Sequence, residues 1–322
     1  METTSSISFL ALMLLTLNLL ITVTSASSDQ DALLAFKNAI TLDPSHVLSN
    51  NWSTNAPICS WAGVSCGLKH RRVTALNLSG FGLQGTLAPH LGNLTFLRSL
   101  DVSLNNFTGS IPSQVLNVSA LREIDLRYNQ MSGELPSDVC SNTPKLKKLN
   151  LFGNRFYGKF PKSIYKCTEL VELWLCDNQF NGNIPTEIGN LSMLGFLAAF
   201  KNNLQGDIPS SIFNISSLEH LYLHNNRLSG NIPIFKCLTS RLQDLYLHSN
   251  NLTGGIPEEI GHLTSLNELI LNNNRLTGHI PRQIGNLTRL TLLRLHDNKL
   301  SGELPGELGN LKNMEYIHQS WD

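Results

Sequence analysis

His224 and His248 lie 24 residues apart, and Tyr222 and Tyr246 share that interval. If the interval brings them onto neighbouring strands, the imidazoles stand ~5 Å apart. Such a pair could hold a metal ion or titrate near pH ~6.5. No third ligand is placed nearby by motif, so no metal and no cofactor is assigned. The expectation is instead a pH effect. Protonating both imidazoles, in coupled steps, would favour an acidic ligand as pH falls through ~6.5. Phe152, Trp174, Phe196 and Phe200 belong to the same patch as Tyr222, His224, Tyr246 and His248. Aromatic side chains at this density give large contact area at low entropic cost and mark recognition surfaces. Rings packing along a sheet as cross-strand neighbours would explain them equally.

No paired nucleophile and base, phosphate loop or CxxC metal set is found, so no enzyme activity is expected. The 24 basic and 24 acidic residues cancel, which gives no field for nucleic acid or anionic membrane. Cys59 and Cys66 sit close together outside the periodic region, and a disulfide between them is expected. Cys140 and Cys167 hold similar offsets in adjacent units and could bridge. Cys176 and Cys237 have no evident mates.

The elements that would position these residues follow from periodicity. From Val73 to Asn313 the chain repeats L-x-x-L-x-L-x-x-N-x-L-x-G-x-I-P. The register is read at Leu97, Leu121, Leu146, Leu170, Leu194, Leu218, Leu242, Leu266 and Leu290. Every interval is 24 residues except Leu121 to Leu146, which is 25. A fixed short period of Leu and Asn specifies a leucine-rich-repeat solenoid. The expected fold is α/β: a right-handed solenoid with a parallel concave sheet and an N-terminal helical cap. Alternation around Tyr222 places it on the face opposite Leu221 and Leu223. The Asn column, Asn105 to Asn298, would form an internal ladder satisfying turning backbone.

Four segments are expected. Residues 1–26 form a signal peptide, with an apolar run from Leu10 to Val23 and small residues up to Ala26. Residues 27–72 form the cap, with Ala32, Leu33, Phe36 and Ile40 on one helical stripe. Residues 73–313 hold ten repeats, and 314–322 begin an incomplete eleventh. Sequons start at Asn51, Asn77, Asn93, Asn106, Asn117, Asn190, Asn214, Asn251 and Asn286. With the signal peptide they indicate a glycosylated chain in the secretory pathway. No segment after the signal has the length and apolarity to span a bilayer.

The cap motif W-x6-C-x-W-x-G-V-x-C, Trp52 to Cys66, resembles that of plant leucine-rich-repeat receptor kinases and receptor-like proteins. The L-x-G-x-I-P element is similar to the plant-type repeat. Ile188-Gly189-Asn190-Leu191 and Ser211 to Leu218 resemble the subfamily that includes the flagellin and elongation-factor receptors. This resemblance implies an extracellular ectodomain at the plasma membrane or in the cell-wall space. It implies a peptide or protein ligand, a co-receptor kinase as partner, and a role in immune or developmental signalling. The chain departs from the family plan after residue 313, where no C-terminal cap, membrane helix or kinase follows, so a truncated receptor is expected. A secreted inhibitor of a pathogen cell-wall-degrading enzyme is the alternative. Polygalacturonase inhibitors of that kind carry C-terminal cysteine pairs, and no cysteine follows Cys237.

Overall fold

The structure is a computed structural model that describes residues 29–136, 139–234 and 241–318. The expected signal peptide, Cys237 and residues 319–322 lie outside the described residues. One sheet of twelve strands runs the length of the molecule, from Val64–Cys66 and Val73–Asn77 to Tyr316–His318. The first pair is antiparallel; every later pair is parallel. Register never slips between repeats: Leu173 stands opposite Leu149 and Leu197, and Leu221 opposite Leu197 and Leu245. These central leucines are fully buried. With a side-chain period of two, a one-residue slip would turn them outward, so the buried row locks the register.

The connections differ from α-helical crossovers. Most return segments carry a short 3-10 turn among the described residues, such as Thr186–Asn190 or Ser210–Asn214. Before it lies a second set of strands that periodicity alone did not reveal. Ser132–Glu134, Arg155–Lys159, Gln179–Gly182, Asn203–Asp207 and Arg227–Ser229 pair as a five-stranded sheet. The Gly column threads this second sheet at positive φ, as at Gly182 and Gly206. Cys140 and Cys167, left open by the sequence, form a disulfide between adjacent units.

The Asn ladder joins the two sheets. Asn202 accepts from the Phe180 amide at 2.9 Å. Its own amide donates to the carbonyls of Leu175, Ala199 and Phe200 at 3.0 to 3.2 Å. Asn226 and Asn250 repeat this arrangement one and two units on. The residue before each ladder Asn turns left-handed, including non-glycines such as Leu104, Tyr128 and Lys201 (φ 51 to 56). That conformation costs about 1–2 kcal/mol in an L-residue. The four hydrogen bonds of each ladder Asn offset it, because buried backbone groups left unpaired would cost more.

The cap docks by charge as well as by packing. Residues 29–38 are helical, and Ala32, Leu33 and Phe36 are buried as expected. Ile40 is not on the helix. It begins the strand Ile40–Leu42, which pairs antiparallel with Gln84–Thr86. Gly85 permits that approach, since a Cβ there would lie 2.2 Å from the Ala39 carbonyl. Asp29, fully buried, takes a bidentate pair from Arg72 at 2.7 and 2.9 Å and a third bond from the Val73 amide. The Arg72 guanidinium also lies 4.9 Å over the Phe96 ring. The expected Cys59–Cys66 disulfide closes the cap, and Trp52 stacks on Trp61 beside it.

Removing one ladder amide should therefore be costly. Asn202→Ala leaves a buried amide and carbonyls unpaired and is expected to destabilise by roughly 2–4 kcal/mol. Chemical denaturation would measure it, and a loss below about 0.5 kcal/mol would show that the ladder is dispensable. Peptide mapping without reduction should recover Cys59–Cys66 and Cys140–Cys167 linked. Free thiols at either pair would contradict the cap or the repeat geometry.

Candidate functional site

The outward face of the long sheet carries a strip built from two rows of rings. Strand period puts Trp174, Tyr222 and Tyr246 at one offset, and Phe152, Phe200, His224 and His248 two residues further. Phe196 stands one step earlier, level with Glu172 and His220. All eight side chains are half-buried. In the first row Trp174 stacks on Phe196 (3.9 Å between centroids), Phe196 meets Tyr222 edge-on (5.2 Å), and Tyr222 stacks on Tyr246 (4.5 Å). In the second, Tyr128 leads to Phe152 (4.7 Å), Phe152 to Phe200 (5.9 Å), Phe200 to His224 (4.4 Å) and His224 to His248 (4.3 Å). Cross-contacts from His224 and His248 to Tyr246 join the rows. The eight residues expected from sequence are thus brought together.

Two small residues explain the continuity. Ala198 lies directly between Trp174 and Tyr222 in register and is fully buried. It offers no ring there, and Phe196 bridges the gap by touching both neighbours. Cys176 separates Phe152 from Phe200 in the second row and is also fully buried, while those two rings meet beside it. Cys176 is therefore not a presented thiol. Burial pushes it up to about 12, so it has little thiolate character at neutral pH.

The polar edges of the tryptophan and tyrosine rings are satisfied. The Trp174 indole donates to Glu172 at 3.1 Å. The Tyr222 hydroxyl donates to Asp244 at 2.9 Å, and His220 Nδ1 lies 2.7 Å from the same oxygen. The Tyr246 hydroxyl donates to Glu268. Both tyrosine hydroxyls are pushed upward, first by burial and then by the carboxylates they bond. Sequence reasoning missed Glu172, Asp244 and Glu268. The signal was present in the column that also holds Phe196, two residues before Trp174, Tyr246 and Ile270. Towards the N-terminal end the face is polar: Asp101, Asp125 and Asn150 replace the rings. Asp125 is paired with Arg127 and Lys148, the latter also near Glu172. Burial nonetheless raises the Asp125 carboxyl.

The histidine pair is as close as expected, but its titration is not. Desolvation, with the neighbouring charges next in effect, lowers both imidazoles, His224 to about 3. Each Nδ1 is buried without a hydrogen-bond partner. Their protonation is therefore suppressed through the mildly acidic range, and the expected gain of positive charge near pH ~6.5 is corrected. Among the described residues no group of three or more His, Cys, Asp or Glu could hold a metal ion. Eight of the nine sequon asparagines are exposed and Asn251 is half-exposed. Asn77 is on the long sheet; Asn93, Asn117, Asn190, Asn214 and Asn286 each end a 3-10 turn.

Known proteins share this architecture. A leucine rich repeat N-terminal domain matches residues 26–67. Leucine rich repeats match 95–156, 169–191, 217–238 and 240–300. Over 83 residues the chain is 48% identical to a receptor-like protein kinase of Arabidopsis thaliana. It is 41% identical over 83 residues to the LRR receptor-like serine/threonine-protein kinase EFR of that plant. Each stretch is 26% of this chain and only 8% of the relative. The crystal structure of PEPR1–AtPEP1 superposes with a TM-score of 0.81 at 33% identity, over 91% of this chain and 45% of that one. The Arabidopsis receptor kinase HAESA, in complex with the peptide hormone IDA and the co-receptor SERK1, gives 0.61 at 30% identity, over 91% and 57%.

The lowered imidazoles make a prediction whose sign is fixed by linkage. The unfolded chain takes protons on both histidines near pH ~6.5, and the folded chain takes them only at lower pH. Their contribution is fully present above that pH and is lost as pH falls towards the folded value of about 3 for His224. The melting temperature should fall on acidification between those limits, and His224→Gln should flatten the fall. An unchanged profile in the variant would contradict the burial argument.

Proposed function

Because the chain belongs to the leucine-rich-repeat family, we propose that it is the ligand-recognition ectodomain of a plant receptor-like kinase or receptor-like protein. The carrying observation is the double row of half-buried rings, with indole and hydroxyl groups already bonded. Rings locked in place lose little entropy on binding and suit an extended peptide or a protein loop. That HAESA is known in complex with the peptide hormone IDA supports a ligand of this class. HAESA's complex with SERK1 supports a co-receptor as a second partner. The chain itself performs recognition and no catalysis in this reading. It acts at the extracellular side, in immune or developmental signalling, with glycans on the sequons. A glycan on Asn77 would crowd the N-terminal end of the sheet and leave the middle repeats open.

Ligand capture tests this reading. Immobilised chain would be exposed to peptides from plant apoplastic fluid, with the Trp174→Ala/Tyr222→Ala double variant as control. Wild-type chain should retain a defined peptide set that the control loses. Each single substitution should weaken binding by about 1–3 kcal/mol. Identical sets on both proteins would move recognition off the strip.

A further inference from the structure

Two carboxylates in the C-terminal half of the strip are handled unlike those before them. Asp125 and Glu172 have Arg127 or Lys148 within 4.0 Å. Asp244 and Glu268 have no lysine or arginine nitrogen within that distance among the described residues; Asp244 meets only His220. Each is half-buried and oriented by a tyrosine hydroxyl, Tyr222 for one and Tyr246 for the other. Asp244 and Glu268 occupy adjacent strands in direct register, so two negative charges stand about 5 Å apart along the sheet. Like charges directly opposite are destabilising. The tyrosine hydroxyls moderate the repulsion and do not cancel it.

The other charged groups around them fit the same pattern. Lys201 lies beside His224, and Arg294 beside His248, each near enough to depress its imidazole. Neither forms an ion pair within 4.0 Å among the described residues. Asp244 and Glu268 thus form a negative spot on the strip, with Lys201 on its N-terminal side and Arg294 on its C-terminal side. His224 and His248 cannot supply compensating charge there, because both are lowered by burial.

We infer that the strip takes a cationic peptide segment, with an arginine or lysine of the ligand seated against Asp244 and Glu268. Such a segment complements the charge of a preformed face. An arginine or lysine stem can lie along Tyr222 and Tyr246 while its head pairs with the carboxylates. A planar guanidinium can bond two carboxylates at this spacing. An acidic segment would meet both carboxylates unscreened. The inference rests on the proposed peptide-binding role and reverses the ligand charge expected from the histidines.

A randomised linear dodecapeptide library, displayed on phage and selected on the full chain, tests it. Selection on wild type should enrich sequences with arginine or lysine. Those peptides should lose tenfold or more in affinity on the Asp244→Asn/Glu268→Gln variant. Asn and Gln still accept from the tyrosine hydroxyls, and an unchanged melting curve would confirm that the variant is folded. Enriched peptides that depend on Trp174 but lack basic residues, or that bind the variant undiminished, would overturn the charge inference and leave the peptide-binding reading intact. Enrichment of no peptide dependent on Trp174 would overturn both.

Discussion

The amide of each ladder asparagine is the contact on which the rest of the structure depends. It is the point where the long sheet turns towards the second sheet, and where a left-handed residue must be tolerated. One side chain accepts from a second-sheet amide of the preceding repeat and donates to carbonyls in its own and the preceding repeat. In the middle repeats those carbonyls include Phe200, His224 and His248. The ladder therefore does more than close the turns. It fixes the backbone that carries the second row of the aromatic strip, and so links a repeated structural residue to the surface proposed to bind ligand.

Stability and recognition are separated across the thickness of the sheet. Inward leucines lock register through burial, and outward rings inherit that register without adding to the core. Rings two residues apart in sequence fall into separate rows, and rings in adjacent repeats fall into contact. Ala198 and Cys176 mark where the rows would otherwise break. Bridging by Phe196, and contact between Phe152 and Phe200, keep the surface continuous. A half-buried, hydrogen-bonded array of this kind is rigid before any ligand arrives, which lowers the ordering cost of association.

Much of this was legible in the sequence, for reasons that the residues make plain. A period of 24 fixes which side chains share a column, so the rings, the Asn ladder and the buried leucines could be placed without coordinates. The cap disulfide followed from two close cysteines outside the period. The second sheet was not legible, because its strands are short and one of its recurrent residues is glycine, which leaves no alternation to read. Ile40 was misplaced because helical spacing continued past the turn at Ala39. The histidine pair shows the sharper limit. Its spacing was correctly anticipated, but its protonation depends on desolvation by Phe200 and Tyr246, which periodicity does not measure. The carboxylates under the tyrosines were overlooked because they lie in a column dominated by unrelated residues.

A photo-crosslinking residue would test most directly whether the strip is the binding surface. Benzoylphenylalanine would replace either Phe200 on the strip or Tyr157, which is 47% exposed on the second sheet. Each protein would be irradiated in plant apoplastic fluid and its adducts identified by mass. A ligand on the strip predicts a discrete peptide adduct at position 200 that excess wild-type chain competes away, and none at position 157. A competed adduct at 157 with none at 200 would contradict the account.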